Sequence, residues 1–119
     1  MRNISFQLTT EQIKARTKDV TRRLGWLNLK KGDRLQGCKK CMGRKHAEPL
    51  ERLAVVEVVS VRREPLGAIS KPDVIREGFP DLTPAEFVEF FCRTHKDPLT
   101  KKQATSETIV TRIEFKYVD

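Results

Sequence analysis

Arg16-Thr17-Lys18-Asp19-Val20-Thr21-Arg22-Arg23 packs cations and hydroxyls into one short run. It belongs to a longer stretch, Lys14 to Arg23, that leads into Gly25-Trp26. The stretch is too polar for a core and too patterned for a linker. Asp19 to Arg23 reads as a polar strand at the edge of a sheet, and the fold is read outward from it.

Upstream, Ile4, Phe6 and Leu8 alternate with Ser5 and Gln7, which predicts a first strand with one buried face. Thr9 followed by Gln12 has the form of a capping box and predicts a short helix over Thr10 to Arg16. Downstream, Leu24 to Leu29 is an apolar loop, Lys31-Gly32-Asp33 a turn, and Arg34 to Cys38 a strand. Lys39 to Pro49 is a basic loop. Leu53 to Val61 is β-branched and nearly continuous, so it is expected at the centre of the sheet, covered on both faces. Glu57 within it is paired or faces a wet lumen.

Arg63-Glu64-Pro65 is expected to end that strand. Ser70 caps a short helix with Pro72 in its first turn, ending near Glu77-Gly78. Thr83-Pro84-Ala85-Glu86 is a full capping box and opens a helix to about His95. Phe87, Val88, Phe91 and Cys92 share one face of it. A final strand puts Ile109, Thr111, Ile113, Phe115 and Tyr117 on one side. Arg112, Glu114 and Lys116 then point to the other. These elements predict an α+β class: a small, mostly antiparallel β-barrel with short flanking helices, one domain over residues 1–119.

The 119 residues carry a net charge of +8 and 38% apolar residues. Lys14 to Lys45 holds twelve Lys/Arg against Asp19 and Asp33 alone, so all the excess positive charge lies in the first part of the chain. Segregated positive charge attracts polyanions by counterion release, which makes nucleic acid the first partner to consider. No apolar run reaches the length of a membrane span, about 20 residues. Three cysteines without a signal-peptide pattern suggest a reducing, cytoplasmic setting.

The order of these features resembles the ASCH domains of the PUA-like superfamily. That family carries a Gly-x-Lys-x-x-Glu-x-Arg motif after its first strand and helix. Here Lys18 and Arg23 match it, while Arg16 stands for the glycine and Thr21 for the glutamate. Lys31-Gly32-Asp33 resembles the family's turn into a strand, and Ile113-Glu114-Phe115 its closing strand. One branch, the bacterial N4-acetylcytidine amidohydrolases, is similar in having threonine at the place of Thr21. Its catalytic set maps onto Lys18, Thr21 and, across a small gap, Glu77 upstream of Leu82-Thr83. Trp26 and the insertion from Cys38 to Pro49 depart from that enzyme.

The resemblance implies an ASCH domain that binds RNA or a modified nucleoside in a basic cleft. In an enzymatic version it hydrolyses an acyl amide such as that of N4-acetylcytidine. It calls for no cofactor. Arg16, Arg22, Arg23, Trp26, Lys39, Lys40, Arg44 and Lys45 are the candidate ligand contacts. Trp26 and Tyr117 are candidate stacking platforms, with Trp26 equally placed to be core.

A threonine hydroxyl needs a base to act as nucleophile, and a lysine serves only if its pKa is lowered. Residues three apart on a regular strand face opposite sides. Lys18 and Thr21 therefore converge only if the chain bends between them or Lys18 belongs to the preceding turn. A different class remains: Cys38, Cys41, Cys92 and His95 (or His46) have the pairwise spacings of a structural zinc site. They would then stabilise an interaction module without catalysis.

Overall fold

The strand from Arg52 to Pro65 (β4) carries the sheet. The computed structural model describes residues 1–41, 49–97 and 99–119. Within them β1 is Arg2–Ser5, β2 Val20–Arg23, β3 Arg34–Cys38 and β5 Ile109–Tyr117. The helices are α1 Thr10–Lys14, α2 Lys71–Arg76 and α3 Pro84–Thr94. The sheet order is β1-β3-β4-β5-β2. β1 and β3 run parallel, and the other neighbours run antiparallel. The sheet curls into a half-barrel with β1 and β2 as its two edges. No helix among the described residues is long and apolar enough to cross a membrane.

β4 alternates rather than being buried on both faces. Ala54, Val56 and Val58 point into the core, while Val55, Glu57 and Val59 stay partly open. Glu57 is paired, to Arg34 at 3.3 Å and Lys116 at 3.4 Å. β4 also runs past Arg63 to Pro65, which pairs opposite Ile109. Proline has no N–H to give, and the last position of a strand tolerates that loss.

Two apolar clusters fill the fold. Ile4, Phe6, Ile13, Leu35, Val56, Val58, Ile113 and Phe115 form the first, inside the curl. Leu66, Ile69, Val74, Phe87, Phe91, Ala104 and Val110 form the second, beneath α2 and α3. β5 feeds both, so its two faces do not separate into buried and solvated. Arg112, expected outside, is buried at 4% exposure. It bonds Asp73 of α2 through Nε and NH2 at 2.7 and 3.0 Å.

Differences near the N-terminus have local causes. β1 ends at Ser5, and Gln7–Thr9 forms a 3-10 turn that leaves Leu8 55% exposed. The Thr9–Gln12 capping box does not form. Thr10 Oγ1 donates to the Phe6 carbonyl at 3.0 Å, and Gln12 Nε2 donates to the Gly78 carbonyl at 3.3 Å. Gly78 has φ +101°, and an added Cβ would lie 2.7 Å from Gln12 Cγ. Gly78→Ala is therefore expected to cost about 2 kcal/mol, from the left-handed backbone and the collision together. A lowered urea midpoint with unchanged slope is the readout. The Thr83–Glu86 capping box forms as expected, at 3.1 and 2.9 Å.

Candidate functional site

Lys18 precedes β2 rather than lying in it. α1 stops at Lys14, Arg16 takes a positive φ of 58°, and the chain turns before Val20 begins the strand. That turn frees Lys18 from strand alternation. Tyr117 Oη holds the segment by donating to the Lys18 carbonyl at 2.6 Å. Across from it, Asp19 N–H donates to the Arg76 carbonyl at 3.0 Å, docking the end of α2.

Glu77 is the C-cap of α2, where a helix leaves carbonyls unsatisfied and favours a cation. Lys18 supplies both needs. Its Nζ donates to Glu77 Oε1 and to the Glu77 carbonyl, each at 2.8 Å. Arg22 NH1 donates to Glu77 Oε2 at 3.1 Å. Lys18 and Glu77 are only 2% and 3% exposed. Burial lowers the Lys18 pKa; Glu77 opposes this, and Arg23 and Arg22 push it down further.

Thr21 and Arg23, two apart on β2, share a face. Arg23 Nε donates to Thr21 Oγ1 at 3.1 Å, which leaves the threonine hydrogen free to donate elsewhere. Arg23 NH2 donates to the Ser5 carbonyl at 2.6 Å, and its guanidinium lies 5.1 Å from the Phe6 ring. Arg23 thus ties the two sheet edges together. Burial brings its pKa down to about 10, against the pull of Glu77.

Behind this layer, Asp73 accepts from Arg112 and from Arg22 NH2, the latter at 2.6 Å. Arg22 also reaches Glu64 at 3.3 Å. Arg112 and Arg22 hold the Asp73 carboxyl well below its ordinary 3.8 despite its burial. A depressed folded-state pKa stabilises the fold above the unfolded value and loses that contribution as pH falls. Unfolding free energy is therefore expected to drop as pH falls through about 4, with a shallower slope in Asp73→Asn. Urea titrations over a pH series check this. Arg22 Nε is buried and has no hydrogen-bond partner among the described residues.

These groups form one side of a cavity of about 210 Å³. Lys18, Thr21, Arg22, Arg23 and Glu77 line it together with the segment from Ser5 to Thr9, and Phe79, Phe87, Phe90, Phe91 and His95 complete it. Phe79 sits 5.2 Å from Phe90 and 5.8 Å from Phe87, ring centre to ring centre. The volume lies under the roughly 300 Å³ at which drug-sized sites begin, so the cavity suits a small ligand. Charged and hydroxyl groups share the lining with aromatic rings, a combination suited to a flat, heteroatom-rich group held by hydrogen bonds at its edge and stacking on its face.

Solved structures share this architecture. Protein EF3133 from Enterococcus faecalis, of family-model DUF984, superposes with a TM-score of 0.75 at 17% identity, covering 100% of this chain and 77% of that one. An ASCH domain from Lactobacillus crispatus superposes with a TM-score of 0.71 at 16% identity, covering 98% and 78%. The chain has the ASCH-domain fold. The hypothetical protein PH0355 is also similar, with a TM-score of 0.62 at 19% identity over 98% and 96% of the two chains. No family model matches the chain, and no curated protein matches it by sequence.

On this ASCH fold the remaining candidates are dispersed. Arg16 is exposed, pairs with Asp119 at 2.9 Å and lies 4.9 Å from the Tyr117 ring, away from the cavity. Trp26, at φ 57°, packs against the first core cluster under the Arg2 guanidinium, 3.8 Å above its ring. It does not line the cavity. Tyr117 is engaged with Lys18 and meets Phe115 edge-on; burial pushes its hydroxyl up to about 12. Lys39 is exposed and pairs with Glu51 at 3.8 Å, and Lys40 stands beside it at the end of β3, outside the cavity lining. Arg44, Lys45 and His46 lie outside the described residues.

The zinc set does not assemble. Among the described residues no three His, Cys, Asp or Glu side chains group as a metal site. Cys38 is buried on β3 with its thiol at the Gln36 carbonyl, Cys41 lies beyond that strand, and Cys92 packs in the second cluster. His95 is in the cavity wall. The aromatic wall was missed because Phe87 and Phe91 carry the spacing of a helix face that packs a core, and they pack it as well. Phe79 and Phe90 were the unused signal: two more rings flanking that face.

Proposed function

We propose that the cavity binds the base of a modified cytidine and hydrolyses an acyl amide on its exocyclic nitrogen, as in N4-acetylcytidine. The observation that carries this reading is the meeting of Lys18, Thr21 and Glu77 at one ring-walled cavity, although Lys18 and Glu77 are 59 residues apart in sequence. The resemblance assigned those three residues to this chemistry. An ASCH-fold relative adds the fold alone, since one scaffold hosts many activities.

The proposed reaction uses these groups in turn. Proton transfer from Lys18 Nζ to Glu77 Oε1, across 2.8 Å, leaves a neutral amine that burial already favours. Thr21 Oγ attacks the amide carbon while its proton passes to Lys18. The carbonyl π pair moves to oxygen, and the cationic Arg23 beside Oγ1 stabilises that negative charge. Collapse breaks the C–N bond, and Lys18 returns the proton to the departing ring amine. Water then attacks the acyl-threonine ester and gives a proton to Lys18. Collapse of that adduct breaks the C–Oγ bond, Lys18 returns its proton to Thr21 Oγ, acetic acid leaves and ionises in the solvent, and Glu77 gives its proton back to Lys18.

The basic stretch from Lys14 to Lys45 suits a substrate within RNA, attracted by counterion release. The experiment is a calorimetric titration of the protein with N4-acetylcytidine, with chromatography of the same mixture for cytidine. Binding with cytidine release is expected. Binding without release leaves a nucleoside-binding module, and no binding removes the reading.

A further inference from the structure

His95 ends α3 with its Nδ1 between two oxygens. The residue is the C-cap of α3, with φ −130° and ψ 132°, so its backbone has already left the helix. Carbonyls of the last helical turn then look for side-chain donors. Thr94 Oγ1 donates toward the carbonyls of Phe90 at 2.9 Å and Phe91 at 3.1 Å. His95 Nδ1 lies 3.0 Å from the Phe91 carbonyl and 2.9 Å from Thr94 Oγ1. A carbonyl oxygen only accepts, and with the Thr94 hydrogen given to the carbonyls these contacts assign the ring hydrogen to Nδ1. The ring lies flat on Phe91, with centres 3.8 Å apart and planes 2° from parallel. Burial lowers the His95 pKa; the bond to Phe91 and nearby Glu77 oppose it, and Arg23 assists it. In the neutral ring with its hydrogen on Nδ1, Nε2 keeps its lone pair and has no hydrogen bond among the described residues.

The other titratable side chains of the cavity are donors or already engaged. Arg22 and Arg23 donate; Lys18 donates in the resting ion pair and, as the neutral amine, is committed to the Thr21 hydrogen; and the two oxygens of the Glu77 carboxylate accept from Lys18 and Arg22. Gln7 and Thr9 also line the cavity, but an amide and a hydroxyl donate as readily as they accept. A secondary acyl amide presents one acceptor, its carbonyl, and one donor, its N–H.

The geometry points to His95 Nε2 as the acceptor for the N–H of the bound amide, which makes His95 a specificity-determining residue that admits secondary acyl amides and rejects tertiary ones. This rests on the acyl-amide reading of the cavity. The role assigned to the imidazole is that of a positioning acceptor. It fixes the amide plane so that the carbonyl turns toward Thr21 and Arg23.

Two measurements test it. Imidazole ¹⁵N spectra at pH about 8, where histidine is neutral, are expected to show His95 protonated at Nδ1 and bare at Nε2; the opposite tautomer overturns the assignment without any ligand. Affinities for N4-acetylcytidine and for its N4-methylated analogue, which lacks the N–H, are then compared. The protein is expected to prefer the N–H compound by roughly tenfold to a hundredfold, the range for leaving one buried acceptor unpaired. His95→Phe keeps a ring on Phe91 and is expected to bring the ratio within about threefold. A purely helix-capping His95 would leave the ratio unchanged in the variant. Equal affinity of the wild-type protein for both compounds overturns the His95 assignment alone. Binding of neither overturns the acyl-amide reading with it. The tautomer and the wild-type comparison need no variant, so a poorly folding His95→Phe does not protect the inference.

Discussion

Replacing Glu77 by alanine is expected to lower the unfolding free energy by about 3–5 kcal/mol, the range for removing one partner of a buried ion pair. Glu77 is 3% exposed and serves two cations, Lys18 at 2.8 Å and Arg22 at 3.1 Å. Their mutual attraction matters less than the desolvation left uncompensated once the carboxylate is gone. Lys18 retains the backbone carbonyl of residue 77, and Arg22 retains Asp73 and Glu64. Lys18 also limits the loss by shedding its proton, as buried lysines do. Glu77→Gln keeps the shape and one acceptor, so it falls between alanine and wild type. Urea denaturation of the three proteins gives the order. A loss under about 1 kcal/mol for the alanine variant would place Glu77 among ordinary surface pairs.

Lys18→Met is expected to slow cytidine release by about 10³-fold, within the range for removing a positioned general base. The informative companion is Lys18→Arg. Arginine keeps the positive charge against Glu77 but stays protonated, so it holds the pair and abolishes base function. If Lys18 acts as the base, both variants lose turnover, and the arginine variant stays closer to wild type in stability. If Lys18 serves only as a charge, the arginine variant keeps most of its rate. Steady-state rates and urea midpoints on the same preparations separate the two.

The elements legible in the sequence are those whose local signals and tertiary uses agree. Thr83-Pro84-Ala85-Glu86 starts α3 because Thr83 and Glu86 each satisfy the other's backbone N–H and Pro84 has none to satisfy, with no help from elsewhere. Ser70 with Pro72 opens α2 in the same way, and Arg34 to Cys38 pairs as written. Where tertiary contacts compete, the local pattern gives way. Gln12 has the spacing of a capping partner for Thr9, but Gly78, 66 residues away, takes its amide. Arg112 has the alternation of a solvated residue, but Asp73 of α2 buries it.

The cavity divides the same way. Its cations sit in one short run, and their order was readable from Lys18 to Arg23. The bend that lets Lys18 face the cavity is set by Arg16 at positive φ, which no pattern of apolar residues encodes. The ring wall was invisible because periodicity marks a buried face without saying whether protein or ligand covers it. His95 was weighed only as a metal ligand, since its role depends on a tautomer fixed by two contacts at the helix end. Trp26 lies outside the cavity lining, with the Arg2 guanidinium over one face of its ring.

The most direct test is a time course of cytidine formation from N4-acetylcytidine, run side by side for the wild-type protein and Thr21→Val at equal concentration. Valine keeps the shape of threonine and removes only the hydroxyl that Arg23 contacts. The predicted result is steady cytidine release by the wild-type protein and none above background by Thr21→Val, with substrate affinity retained. No release by the wild-type protein, or release by Thr21→Val at the wild-type rate, would contradict Thr21 as the nucleophile of this cavity.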